Sequence, residues 1–220
     1  MAVTTPPQGS PWPRLFSPLP SASCTLKMAL TICANSSGSS ETATARSAAV
    51  TDACGRVAVD VVDFDAELHT LIDDMAETMY AADGVGLAAC QIGVDAAVFV
   101  FDCPDESGER TVGVVCNPEL TLPEGRDRQL DDADEGCLSF PGAFVECARP
   151  DRASVTGQGL DGSPVSYEGD GLLARCLQHE TDHTRGTVFG DRLSTKARKK
   201  LTKEHDKQVE DFPPGWPAED

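Results

Sequence analysis

Apolar residues first recur at helical spacing between Phe64 and Met79, where Phe64, Leu68, Leu71, Ile72, Met75 and Met79 fall on one face. That period predicts an amphipathic helix, capped by Asp63 or Asp65 and stopped by Asp83-Gly84. Its methionines are core packing, because an unbranched thioether fills irregular gaps. The pattern then shortens. Apolar runs at Ala97 to Phe101, Val112 to Cys116, Phe144 to Cys147 and Ala153 to Thr156, parted by Gly, Pro and Asp, read as strands. A second helix is predicted from about Gly171 to Thr184, with Leu172, Leu173, Cys176 and Leu177 on its buried side and Gly186 past its end. A third runs from Ser194 to about Val209 and is basic, with Lys196, Arg198, Lys199, Lys200, Lys203 and Lys207 against Glu204 and Asp206. It reads either as a solvated terminal helix or as a dock for a large anionic partner such as the ribosome.

No such period organises residues 1–50, which are rich in Ser, Thr, Pro and Ala, with a Pro-x-Pro at Pro11 to Pro13 and a polar run from Asn35 to Ser40. A segment of this kind buries little apolar area, so disorder is expected there and order from near Val57. It also has the acid-poor character of an organellar transit peptide, or of sequence upstream of a wrongly assigned start. The remainder, within 220 residues of 40% hydrophobic content, suffices for one sizeable core.

Charge and cysteine content narrow the class. The formal net charge is −18, with Arg14, Lys27 and Arg46 against Glu41 in the first 50 residues, so the acidity lies in residues 51–220. That balance excludes a groove tracking nucleic-acid phosphates, and no sequence-specific nucleic-acid contact is expected. Nine scattered cysteines in a chain too large to need staples fit a reducing cytoplasm. The apolar run from Met28 to Ala34 is too short to span a bilayer, so no membrane partner is expected.

The second helix carries the chemistry. His179 and His183 stand four apart and present two imidazoles to one ion, with Glu180 beside them as proton carrier. A catalytic site of this kind usually takes a third protein ligand and leaves a fourth position open. The third histidine of the long-motif metalloproteases would fall at Phe189, which closes that route. A glutamate on a later helix, Glu204 or Glu210, would make a metallopeptidase. Cys137, in the turn-like Glu135-Gly136-Cys137-Leu138-Ser139, offers a thiolate, whose softness suits iron(II) or zinc. The other eight cysteines read as small buried hydrophobes.

Three segments in order, Gly84-Val85-Gly86-Leu87-Ala88-Ala89-Cys90-Gln91, Glu135-Gly136-Cys137-Leu138-Ser139 and Gln178-His179-Glu180-Thr181-Asp182-His183, together resemble the peptide deformylase family. The resemblance runs from about Val61 to Leu193. It implies an α+β fold, with a central metal-binding helix surrounded by antiparallel β-strands. It implies further that Cys137, His179 and His183 hold one divalent ion per chain, Fe²⁺ foremost, with Zn²⁺ or Ni²⁺ accepted by the same set. Glu180 would act as base and acid, and Gln91 with the Leu138 amide would bind the formyl oxygen. Val85 and Gly86 would pair with the substrate backbone, and Leu172 and Cys176 with Val85 would line a pocket for its methionine.

The expected organisation is an extension over 1–50, a catalytic domain over 51–193 and a basic helix and tail over 194–220. The expected activity is hydrolysis of the formyl group from formylmethionyl nascent peptides in the bacterial cytoplasm, or in an organelle if 1–50 is a transit peptide. The alternatives are the glutamate-ligated metallopeptidase and a ribosome-associated relative without turnover, docked through Lys196 to Lys207. The chain departs from the family at three places: Ala53-Cys54-Gly55-Arg56 replaces the usual Pro-Val-Leu-Arg, Cys90 stands where proline or another residue is common, and Phe140 and Gly142 flank Pro141 after the cysteine motif.

Overall fold

A computed structural model of the protein describes residues 52–208 and 211, and the expectations for residues 1–50 lie outside the described residues. The first long helix, α1, spans Ala66–Ala81. Asp65 caps it, its Oδ1 accepting from the backbone N–H of Glu67 at 2.9 Å and of Leu68 at 3.2 Å. Leu68, Ile72, Met75 and Met79 form its buried stripe, with Phe64 and Leu71 packed at the margin. Asp83 turns the chain out of the helix in a left-handed conformation, φ 52°.

Strands β1 (Gly86–Ala88), β2 (Val98–Pro104), β3 (Arg110–Thr121), β6 (Arg152–Gln158) and β7 (Pro164–Asp170) make an antiparallel sheet in the order β1-β2-β3-β6-β7. A separate antiparallel pair joins β4 (Leu130–Gly136) to β5 (Phe144–Pro150). The second long helix, α2 (Gly171–Thr184), touches β1, β2, β3, β5, β6 and β7. Strand β2 explains why its sequence reads as an apolar run rather than an alternation. Phe99 and Phe101 pack with Leu177 and Cys176 of α2, while Val98 and Val100 pack with Ile72 and Met75 of α1. The expected central helix among antiparallel strands is therefore present.

A third cluster gathers Cys137, Phe140, Val145 and Cys147 with Phe189 of the short helix α3 (Phe189–Arg192) and Leu201 of α4 (Thr195–Gln208). Arg198 fastens the two helices by donating from Nε to the Gly190 carbonyl at 2.7 Å. Helix α4 thus buries one leucine against the β4–β5 unit and leaves its lysines outside.

Several sequence expectations need correction. Order begins before Val57, in a 3₁₀ turn over Asp52–Gly55 that buries Ala53 and Cys54 against the core. Strands β1, β4 and β7 lack the apolar run that marks the other strands, and periodicity alone does not predict them; β4 reads Leu-Asp-Asp-Ala-Asp-Glu-Gly. Leu172 is not on the buried side of α2 but 43% exposed, in the first turn, where the helix leaves the sheet.

Candidate active site

Two adjacent turns of α2 bring His179 and His183 together, their Nε2 atoms 3.2 Å apart. Cys137 arrives from the end of β4, its Sγ 3.4 Å from His183 Nε2. All three are buried, and their ligand atoms lie within 4.8 Å of one another. On a tetrahedral ion with metal–nitrogen bonds of about 2.0–2.1 Å and a metal–sulfur bond of about 2.3 Å, neighbouring donors sit roughly 3.3–3.6 Å apart. The two spacings given, 3.2 and 3.4 Å, lie close to that edge length and the third donor pair is within 4.8 Å, so these three residues fit one ion.

Electrostatics point the same way. Burial pushes the Cys137 thiol up, but His183 and His179 outweigh it and hold the pKa at about 5. Burial pulls His183 down, yet the Cys137 thiolate raises it to about 10. His179 is likewise raised above the ordinary histidine range, burial being outweighed by the Cys137 thiolate and by Glu135. These shifts favour the thiolate form of Cys137, the form that ligates a metal.

Glu135 orients His179. Its Oε1 meets His179 Nδ1 at 2.6 Å, which turns Nε2 toward Cys137. Arg149 grips Glu135 with two hydrogen bonds of 2.7 Å, and Arg175 adds one of 2.8 Å. Burial raises the Glu135 carboxyl, but His179 and Arg149 prevail and hold it below the usual carboxylate range. Arg149 also donates to Asp182 Oδ2 at 2.9 Å, and Asp182 is held in turn by Arg192. Sequence reasoning assigned none of these supporting roles. The signal was there, in two arginines set among apolar neighbours, Cys147-Ala148-Arg149-Pro150 and Leu173-Ala174-Arg175-Cys176.

Glu180 and Gln91 complete the wall. Burial, only partly offset by His179 and His183, raises Glu180 to about 7, and its Oε2 is buried with no hydrogen-bond partner. Gln91 sits in a 3₁₀ turn over Ala89–Ile92, its Oε1 accepting from the Ala88 N–H at 2.9 Å. That bond fixes the amide, so Nε2 points to Ser139 Oγ at 3.4 Å and Cys137 Sγ at 3.7 Å. A cavity of ≈ 480 Å³ opens here, lined by Val85, Gly86, Gln91, Leu138, Leu172 and Cys176 together with Cys137, His179 and Glu180. Gly86 is required by close approach, since a Cβ there would stand 2.5 Å from Glu180 Oε1 and 2.7 Å from Cys176 Sγ. Strand β1 is an edge of its sheet, leaving backbone groups available beside the cavity.

Glu204 of the metallopeptidase alternative does not join this cluster. Glu204 lies on α4, bound to Lys207 at 2.8 Å, and Glu210 lies outside the described residues.

Residues 50–199 match the family model described as polypeptide deformylase. The chain is 58% identical over 141 residues to peptide deformylase 1 of Streptomyces avermitilis, covering 64% of this chain and 65% of that relative. It is 48% identical over 145 residues to peptide deformylase 2 of Streptomyces coelicolor, covering 66% of this chain and 79% of that one. Among solved structures, a peptide deformylase from Legionella pneumophila superposes with a TM-score of 0.64 at 38% identity, covering 74% of this chain and 94% of that one.

Proposed function

Because the chain belongs to the polypeptide deformylase family, we propose that it hydrolyses the N-terminal formyl group of formylmethionyl nascent polypeptides and releases formate. One observation carries the reading: a Cys-His-His cluster with the spacing of tetrahedral ligands, beside a buried carboxyl and a fixed amide donor in one cavity. Membership of the family implies a catalytic metal. Cys137, His179 and His183 would hold it, and the ion would supply Lewis acidity toward water and the formyl carbonyl.

The chain's own groups do the rest. A peptide enters as a strand along Val85 and Gly86, pairing with the open edge of β1. Its methionine side chain rests between Val85, Leu172 and Cys176. Glu180, whose pKa of about 7 lets it exchange a proton at neutral pH, accepts the proton of the attacking water and gives it to the departing amine. Gln91 Nε2 and the Leu138 N–H stabilise the negative charge that develops on the formyl oxygen.

Fe²⁺ is the proposed ion, with Zn²⁺ and Ni²⁺ as the alternatives the donor set admits. Anaerobic purification followed by metal analysis decides among them. The exposed lysines of α4, Lys196, Lys199, Lys200 and Lys203, make a basic surface in an acidic protein and support docking on the ribosome. The setting is proposed to be the bacterial cytoplasm; no helix among the described residues is long and apolar enough to cross a membrane. Release of formate from a formyl-Met peptide, dependent on added metal, tests the activity; its absence would remove the reading.

A further inference from the structure

Two of the departures from the family pattern meet in space. Cys54 Sγ, in the turn over Asp52–Gly55, lies 3.3 Å from Cys90 Sγ, in the turn over Ala89–Ile92. With a nitrogen of His183 these sulfurs form a second group whose ligand atoms all lie within 4.8 Å. His183 meets Cys137 and His179 through Nε2. Its Nδ1 is buried, and the ring interacts with the Cys54 side chain. Cys90 also lies 3.7 Å from the His183 carbonyl, which ties its turn to the same stretch of α2.

We propose that Cys54 Sγ, Cys90 Sγ and His183 Nδ1 form a second metal site, selective for a soft monovalent ion such as Cu⁺. Sulfur donors favour soft ions. Cys54, Cys90 and His183 are 0%, 1% and 1% exposed, so water is not at hand to complete the four-coordinate shell that Zn²⁺ prefers. A three-coordinate ion with metal–sulfur bonds of about 2.3 Å places two sulfurs roughly 4 Å apart. The pair at 3.3 Å therefore needs to part by less than an ångström.

Loading is a proton exchange in which no electron moves. Each thiol releases its proton to solvent and forms a sulfur–metal bond. His183 would bind through Nδ1 in place of the remaining ring N–H proton. One Cu⁺ thus displaces three protons. Without the ion, the hydrogen bond with Cys54 and burial keep the Cys90 thiol protonated, and the pair is ordinary packing. Because His183 serves both sites, filling one alters affinity at the other, reciprocally.

The test is an anaerobic Cu⁺ titration of the full chain with its catalytic site already filled by Ni²⁺. A Cu⁺ chelator competes, and both metals are counted on the recovered protein. The expected result is one Cu⁺ gained per chain with Ni²⁺ retained. Cys54→Ala and Cys90→Ala should each weaken Cu⁺ uptake by more than roughly 100-fold, the upper range for loss of a mere supporting partner. Cys103→Ala, which removes a buried thiol outside the pair, should leave uptake unchanged. Thermal melts verify folding, and Cys54→Val replaces Cys54→Ala if the smaller residue unfolds the chain. No uptake, uptake indifferent to Cys54 and Cys90, or one-for-one displacement of Ni²⁺ would each overturn the proposal. The metal count does not depend on formate release, so failure of either claim leaves the other readable.

Discussion

Glu135 touches both histidine chemistry and the buried arginines, so its removal reads out on two scales. Glu135→Gln keeps the volume but gives up the charge that orients His179 and offsets Arg149 and Arg175. Metal affinity should fall by roughly 10–100-fold, measured by competition with a chelator. The sign of the pH effect comes from its lowered carboxyl pKa. Glu135 stabilises the fold above the unfolded-state glutamate value, and that stability is lost as pH falls below it. Acid unfolding of the wild type should therefore be steeper than that of Glu135→Gln. At Gln91, substitution by alanine would remove the proposed donor to the developing oxyanion, worth about 3 kcal/mol, so kcat should drop by roughly 100-fold with metal content unchanged. His179, His183 and Glu180 were legible in the sequence because four-residue spacing on a helix determines which side chains converge. Glu135 was not, because its partners are 14, 40 and 44 residues away and only the tertiary fold unites them.

Elements with an apolar stripe or run were legible for the same physical reason: α1 buries one face and β2 buries both, whereas α2, buried all round from Ala174 to Thr184, was legible through the spacing of its histidines. Strand β4 was hidden because its only fully buried residue is Glu135, satisfied by arginines instead of by apolar contact. Strand β1 was hidden by its length, three residues, yet it forms the edge along which substrate is proposed to lie. Gly86→Ala tests that edge. The added Cβ would displace Glu180 or Cys176, so formate release should collapse while the protein remains folded by circular dichroism. For α4, the burial of Leu201 divides the helix into a packed face and a basic one. Replacing Lys199, Lys200 and Lys203 with alanine should reduce co-sedimentation with ribosomes and leave turnover of free formyl peptides unchanged. Loss of both together would show that α4 acts through the fold instead.

Across the whole molecule, the proposed metal ligands come from parts of the chain that are distant in sequence. Cys137 comes directly after β4 while the histidines belong to α2, so an ion held by these three would bind the folded state far better than the unfolded chain. At a free metal concentration 100 times the dissociation constant this linkage is worth about 2.7 kcal/mol. For a chain of this size that amounts to about 5–10 °C in melting temperature. Chelation should lower Tm by that order, and re-addition of the ion should restore it. The most direct measurement is formate release from a formyl-Met peptide by the anaerobic, Fe²⁺-loaded chain, run beside Glu180→Gln. The expected result is turnover by the wild type that stops on chelation, and at least about 100-fold less in the variant despite equal metal content. Equal turnover in the two, or none from the metal-loaded wild type, would contradict the account.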